Sequence, residues 1–85
     1  MKLSPTENFK RQYKKLPPPI KDAAKKQLAF LLANPQHPSL NIKKMNDPRN
    51  IWEGRITHSY RFTFQVEGDR YILRTIGTHD TLKNP

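Results

Sequence analysis

Trp52-Glu53-Gly54-Arg55-Ile56-Thr57-His58-Ser59-Tyr60-Arg61-Phe62-Thr63-Phe64-Gln65-Val66 is the stretch on which the fold turns. Its inward-facing residues recur at every second position, Trp52, Gly54 and Ile56, then Tyr60, Phe62, Phe64 and Val66. A period of two marks strands with one buried face. Parity then fixes how the two runs pair. Keeping both sets on one face requires Ile56 opposite Tyr60, Gly54 opposite Phe62 and Trp52 opposite Phe64, with Thr57-His58-Ser59 as the loop. A slip of one residue would put Ile56 against Arg61 and mix the faces, which burial forbids. The same register sets Arg55 directly opposite Arg61 on the other face.

Downstream, Glu67-Gly68-Asp69 is a turn signal with Gly68-Asp69 at the tip of a tight hairpin, and residues 71–76 read as the last strand. That hairpin is expected to pair Val66 with Tyr71, Phe64 with Leu73 and Thr63 with Arg74. Arg74 then joins Arg55 and Arg61 on an uncovered face. Residues 77–85 have room for one helical turn at most. Upstream, Leu40, Ile42 and Met45 suggest a short strand before the turn residues Asn46-Asp47-Pro48.

Nearer the N-terminus the period becomes helical. Ser4-Pro5-Thr6-Glu7 reads as a helix start, with Ser4 as cap and Glu7 closing a capping box. Phe9, Tyr13 and Leu16 follow at i, i+4, i+7. Pro17-Pro18-Pro19 ends this helix, because proline restricts the residue before it and has no N–H to donate. A second helix is expected over residues 19–33, burying Ile20, Ala24, Leu28 and Leu32 with Leu31 beside them, until Asn34-Pro35 stops it. The expected architecture is α+β: an N-terminal helical hairpin packed on one face of a twisted three- to four-stranded antiparallel sheet, one domain over residues 1–85.

The formal net charge is +9. Residues 1–44 carry ten Lys/Arg against Glu7 and Asp22, and residues 45–85 carry six against five acids. A field of this kind attracts polyanions by releasing their counterions. There is no cysteine, hence no disulfide and no thiolate zinc site. No apolar run approaches the ~20 residues of a membrane span. Met1-Lys2-Leu3-Ser4-Pro5 lacks the apolar core of a secretory signal. These features predict a cytoplasmic protein with no membrane partner.

The chemistry on offer is narrow. The three histidines are far apart and no carboxylate pair has ligand spacing, so no metal or other cofactor is expected. The three glycines form no phosphate loop, and no serine sits at a nucleophile elbow. Arginine and histidine remain. Like charges opposed across strands repel, while guanidinium groups offer planar paired donors that suit phosphate oxygens. Arg55, Arg61 and Arg74 therefore read as an anion site. The competing reading has them lying over a wet sheet, or paired with Glu53 and Asp80. His79 follows the last strand at the rim of that face, where imidazole can serve as general acid or base. It can equally cap the strand end or pair with Asp80. His37 and His58 read as surface loop residues. Trp52, Phe62 and Phe64 read as core rather than as a base-stacking platform.

Leu40-x-Ile42-Lys43-Lys44-Met45, Trp52-Glu53-Gly54-Arg55-Ile56, Tyr60-Arg61-Phe62-Thr63-Phe64 and Ile76-Gly77-Thr78-His79-Asp80, in that order and spacing, resemble the RelE/ParE toxin superfamily of type II toxin–antitoxin modules. The basic helix, proline-rich turn and second helix are similar as well. The resemblance implies a helical hairpin on a twisted antiparallel sheet. For the RelE-like branch it implies metal-independent cleavage of mRNA on the ribosome, in which the ribose 2′-hydroxyl attacks the adjacent phosphate. Arg61 matches the family's arginine in the Tyr-Arg strand, and Arg55 the basic residue after the tryptophan. His79 matches a position held by histidine or arginine. Lys10, Arg11, Lys14, Lys15, Lys21, Lys25 and Lys26, with Arg74, would hold RNA. The implied partners are mRNA, the ribosome and an acidic antitoxin in a hetero-oligomer. This chain departs from many members in having no aromatic after Tyr71, and residues 40–46 hold no acid to match the glutamate base of one branch. The rival from another class is a non-catalytic or gyrase-inhibiting ParE-like toxin.

Overall fold

The computed structural model describes residues 1–85. The element order is β1 (Lys2–Pro5), α1 (Glu7–Lys14), α2 (Pro18–Ala33), β2 (Lys43–Lys44), β3 (Trp52–Arg55), β4 (Arg61–Glu67) and β5 (Arg70–Gly77). Short 3₁₀ turns lie at Pro38–Leu40 and His79–Leu82. The sheet has five strands in the order β1-β5-β4-β3-β2, not the three or four expected, and β1 runs parallel to β5. No helix is long and apolar enough to cross a membrane.

The extra strand comes from the segment read as a helix start. Leu3 pairs with Tyr71 and Pro5 with Leu73. Lys2 N–H donates to the Asp69 carbonyl at 2.8 Å, and Thr6 N–H to that of Leu73 at 3.0 Å. An edge strand tolerates Pro5, whose missing N–H would be costly only inside a sheet. The cap moves two residues on: Thr6, in extended backbone, accepts from Phe9 N–H at 3.2 Å.

The β3–β4 register is the one parity demands, with Trp52 opposite Phe64, Gly54 opposite Phe62 and Arg55 opposite Arg61. Phe62, Phe64, Tyr71, Leu73 and Ile76 form one cluster with Phe9 and Leu16 and with Ala24, Leu28 and Leu31 of α2. Leu32 is exposed, against expectation, and Gln27 is buried in its place. The inward stripe of α2 is Ala24, Gln27, Leu28, Leu31, rotated from the one expected. Gln27 is satisfied there: its Nε2 donates to the Ser39 and Arg55 carbonyls at 3.2 and 2.9 Å. Leu40 belongs to a 3₁₀ turn rather than a strand, and only Lys43–Lys44 pair with β3. His37 is not an idle surface residue. Its Nδ1 accepts from Ser39 N–H at 3.2 Å, and its ring stacks on Phe30 at 4.0 Å.

The pairing of β4 with β5 holds for Val66–Tyr71 and Phe64–Leu73, but Thr63 faces Thr75, not Arg74. Arg74 is the extra residue of a bulge. Burial compels it. Leu73 and Ile76 are three residues apart and both lie in the core, which strict alternation forbids.

Candidate functional site

The face of the sheet away from the helices carries Arg55 opposite Arg61, and Arg61 in turn opposite Gly77. No carboxylate meets either arginine: Glu53 pairs with Lys43 at 3.3 Å and Asp80 with Lys83 at 3.7 Å. Arg55 is half-buried, and its Nε is buried without a hydrogen-bond partner. Its backbone is pinned from beneath by Gln27. Arg61 curls over the preceding loop. Its Nη1 donates to the carbonyls of Thr57, His58 at 2.7 Å and Tyr60 at 3.3 Å, leaving Nε and Nη2 available. Arg61 thus both shapes the loop and presents two donors.

His79 is exposed and opens the 3₁₀ turn that follows Gly77, so it stands at the same end of the sheet as the arginine pair. It makes no ion pair with Asp80. The expected trio is broken. The bulge sets Arg74 away from Arg55 and Arg61, three residues along β5 from Gly77, roughly 10 Å at strand spacing. Its Nε donates to the Pro85 carbonyl at 2.9 Å and its Nη1 to Gln65 Oε1 at 3.0 Å.

The outer face is not open throughout. Residues 78–85 fold back over it, and Thr63, Thr75 and Pro85 are buried. The Thr63 and Thr75 hydroxyls bond to each other, and Thr63 Oγ1 also donates to the Pro85 carbonyl at 3.2 Å. Two cations that sequence reasoning passed over flank this tail, Arg49 and Lys83, which line one cleft with Arg74. Arg49 grips Asp47 through Nε at 3.0 Å and Nη2 at 2.8 Å. Those bonds, with the Arg49 N–H, hold the Asp47 carboxyl at about 2, well below its ordinary 3.8. The Arg49 guanidinium is raised in turn by Asp47. The only signals in the sequence were a turn, Asn46-Asp47-Pro48, followed by a cation, and a lysine close to a tail with no expected position.

Of the helical cations, Lys10, Arg11, Lys14, Lys15, Lys25 and Lys26 are exposed and Lys21 is half-buried. Only Lys10 among them meets a carboxylate, Glu7 at 3.4 Å. These side chains lie on helices that cover the opposite face of the sheet from Arg55 and Arg61, so the helix lysines and the arginine pair form two separate basic surfaces.

This architecture is that of the RelE/ParE toxins. It superposes on YafQ from E. coli with a TM-score of 0.78 at 12% identity, covering 94% of each chain. The YoeB/ParE toxin from Agrobacterium tumefaciens gives 0.78 at 19% identity, over 93% of this chain and 99% of the other. RelE in the RelB–RelE antitoxin–toxin complex from Methanococcus jannaschii gives 0.76 at 21% identity, over 95% of both. Neither protein-family models nor curated protein sequences match the chain.

Proposed function

We propose that this chain is the toxin of a type II toxin–antitoxin module, acting as one domain and cleaving mRNA on the ribosome without a metal. The observation that carries this reading is the Arg55–Arg61 pair, opposed on the outer face with no carboxylate between them and with Arg55 Nε buried and unpartnered. The Nη groups of Arg55, which make no hydrogen bond, and the free Nε and Nη2 of Arg61 suit the oxygens of a phosphate. The fold, shared with toxins solved in complex with their antitoxins, supports the same reading.

In the proposed reaction the ribose 2′-oxygen forms a bond to the adjacent phosphorus while the bond to the 5′-oxygen breaks. Arg55 and the free Nε and Nη2 of Arg61 hold the non-bridging oxygens as charge develops on them. His79, at that end of the sheet, delivers a proton to the leaving 5′-oxygen or accepts the one lost by the 2′-hydroxyl, and water exchanges the other proton. The products are a 2′,3′-cyclic phosphate and a 5′-hydroxyl. The exposed helix cations hold ribosomal RNA from the other face, and an acidic antitoxin neutralises the chain in a hetero-oligomer. A cell-free translation reaction with mapping of mRNA ends tests it. Discrete cuts that vanish with Arg55→Ala support the reading. Intact mRNA together with gyrase-dependent DNA breaks would replace it with the ParE-like alternative.

A further inference from the structure

The bulge places Arg74 in a cleft of about 340 Å³ whose lining includes Arg49 and Lys83, with Thr6 and Asn8 from the start of α1. Three cations from separate parts of the chain converge there: the connection before β3, β5 itself and the C-terminal tail. We propose that this cleft is a second phosphate subsite, holding a further backbone phosphate of the same RNA strand that meets Arg55 and Arg61. The inference rests on the function proposed above and extends it to a multi-nucleotide footprint.

Arg74 and Arg49 are oriented by bonds that leave donors over. Arg74 spends Nε on Pro85 and Nη1 on Gln65, leaving Nη2. Gln65 is itself fixed, since its Nε2 donates to the Arg49 carbonyl at 2.9 Å. Arg49 spends Nε and Nη2 on Asp47, leaving Nη1. Lys83 is 79% exposed and only loosely paired with Asp80, which is 87% exposed. A pair so exposed holds neither partner firmly. Asp47 holds Arg49 and Asp80 loosely holds Lys83, so Arg74 is the cation of this cleft without a carboxylate side-chain partner.

The start of α1 adds to it. Thr6 Oγ1 and Asn8 Nδ2 donate to the Arg74 carbonyl at 3.2 and 3.4 Å, tying the helix start to the bulge. The positive end of the helix therefore faces the same space as the guanidinium groups. The lining side chains are cationic or polar apart from Pro85, and planar guanidinium donors suit phosphate oxygens. The two sites lie on either side of the tail that covers Thr63 and Thr75, about 10 Å apart along β5. That span exceeds the spacing of adjacent phosphates and suits one two nucleotides along.

Fluorescence anisotropy of labelled 2′-O-methyl oligoribonucleotides, which lack the attacking hydroxyl, tests this over a range of salt. A dinucleotide offers one internal phosphate and a tetranucleotide several. The Arg49→Gln/Lys83→Gln double variant should bind the tetranucleotide with a shallower log K against log salt slope, by about 0.7 for each phosphate no longer neutralised. Its binding of the dinucleotide should match the parent's. Lys83→Gln alone, at an exposed side chain, repeats the measurement independently of Arg49, and thermal melts accompany each variant. An unchanged tetranucleotide slope overturns the subsite. If Arg55→Gln and Arg61→Gln still weaken both oligonucleotides, the proposed function stands without it. If the parent binds neither, or no variant matters, the subsite falls, and the proposed function is decided by the cell-free translation test.

Discussion

At the scale of single residues, Arg55 and Arg61 look alike in sequence and differ in the folded chain. Arg61 Nη1 stitches the carbonyls of Thr57, His58 and Tyr60, whereas Arg55 makes no side-chain hydrogen bond. Under the proposed function, Arg55→Ala should therefore cut mRNA cleavage by about 10²–10³ while leaving the melting temperature in place, as expected for a preorganised donor to a developing charge. Arg61→Ala should cost similar activity and lower the melting temperature as well, because the loop carbonyls lose their clamp. Equal melting curves for the two variants would refute the loop role of Arg61. Asp47 offers a pH test. Its folded carboxyl titrates at about 2 rather than 3.8, held down first by the Arg49 side chain. A lowered pKa means stabilisation that is present above about 3.8 and lost as pH falls towards 2. Carboxyl NMR should show Asp47 still ionised at pH 3, and Arg49→Gln should return it towards its ordinary value. A parent Asp47 titrating near 3.8 would show that the Asp47–Arg49 grip does not persist in solution.

At the scale of elements, what could be read was what parity and local chemistry control. The Trp52–Phe64 and Gly54–Phe62 pairs follow from alternation alone, and so does the juxtaposition of Arg55 with Arg61. Arg74 was misplaced because alternation was carried through it, although Leu73 and Ile76 at odd separation were already a sign of a bulge. β1 was invisible because its pairing with β5 is parallel and spans most of the chain, while Ser4-x-x-Glu7 offered a local cap that Thr6 in fact supplies. Arg49 and Lys83 became neighbours only through the folded-back tail, which no local period announces. The close pairing of β3 with β4 also makes a prediction. A Cβ on Gly54 would run into the ring of fully buried Phe62. Gly54→Ala should then cost about 1–3 kcal/mol, as overpacking does. Gly68 has open space around it and φ +59°, so Gly68→Ala should cost about 1–2 kcal/mol through backbone strain alone. Parent-like denaturant midpoints for Gly54→Ala would mean that the Phe62 ring is not held against the strand.

At the scale of the whole molecule, charge decides how a partner arrives. The net +9 is concentrated in residues 1–44, and among the cations of α1 and α2 only Lys10 meets a carboxylate. The arginine pair and the Arg49–Arg74–Lys83 cleft add a second positive surface on the outer face. Under the proposed function, the antitoxin must meet both surfaces to neutralise the chain, so an acidic segment that folds as it wraps from one to the other is the partner these charges select. Steering of that kind acts on the encounter, and the association rate should fall steeply as salt rises while the dissociation rate changes little. Stopped-flow mixing across a salt series measures this directly. Replacing Lys14, Lys15, Lys25 and Lys26 by glutamine should flatten the dependence without altering the fold, since all four side chains are exposed. A salt-independent association rate for the parent would leave shape alone to explain how the partner finds this chain.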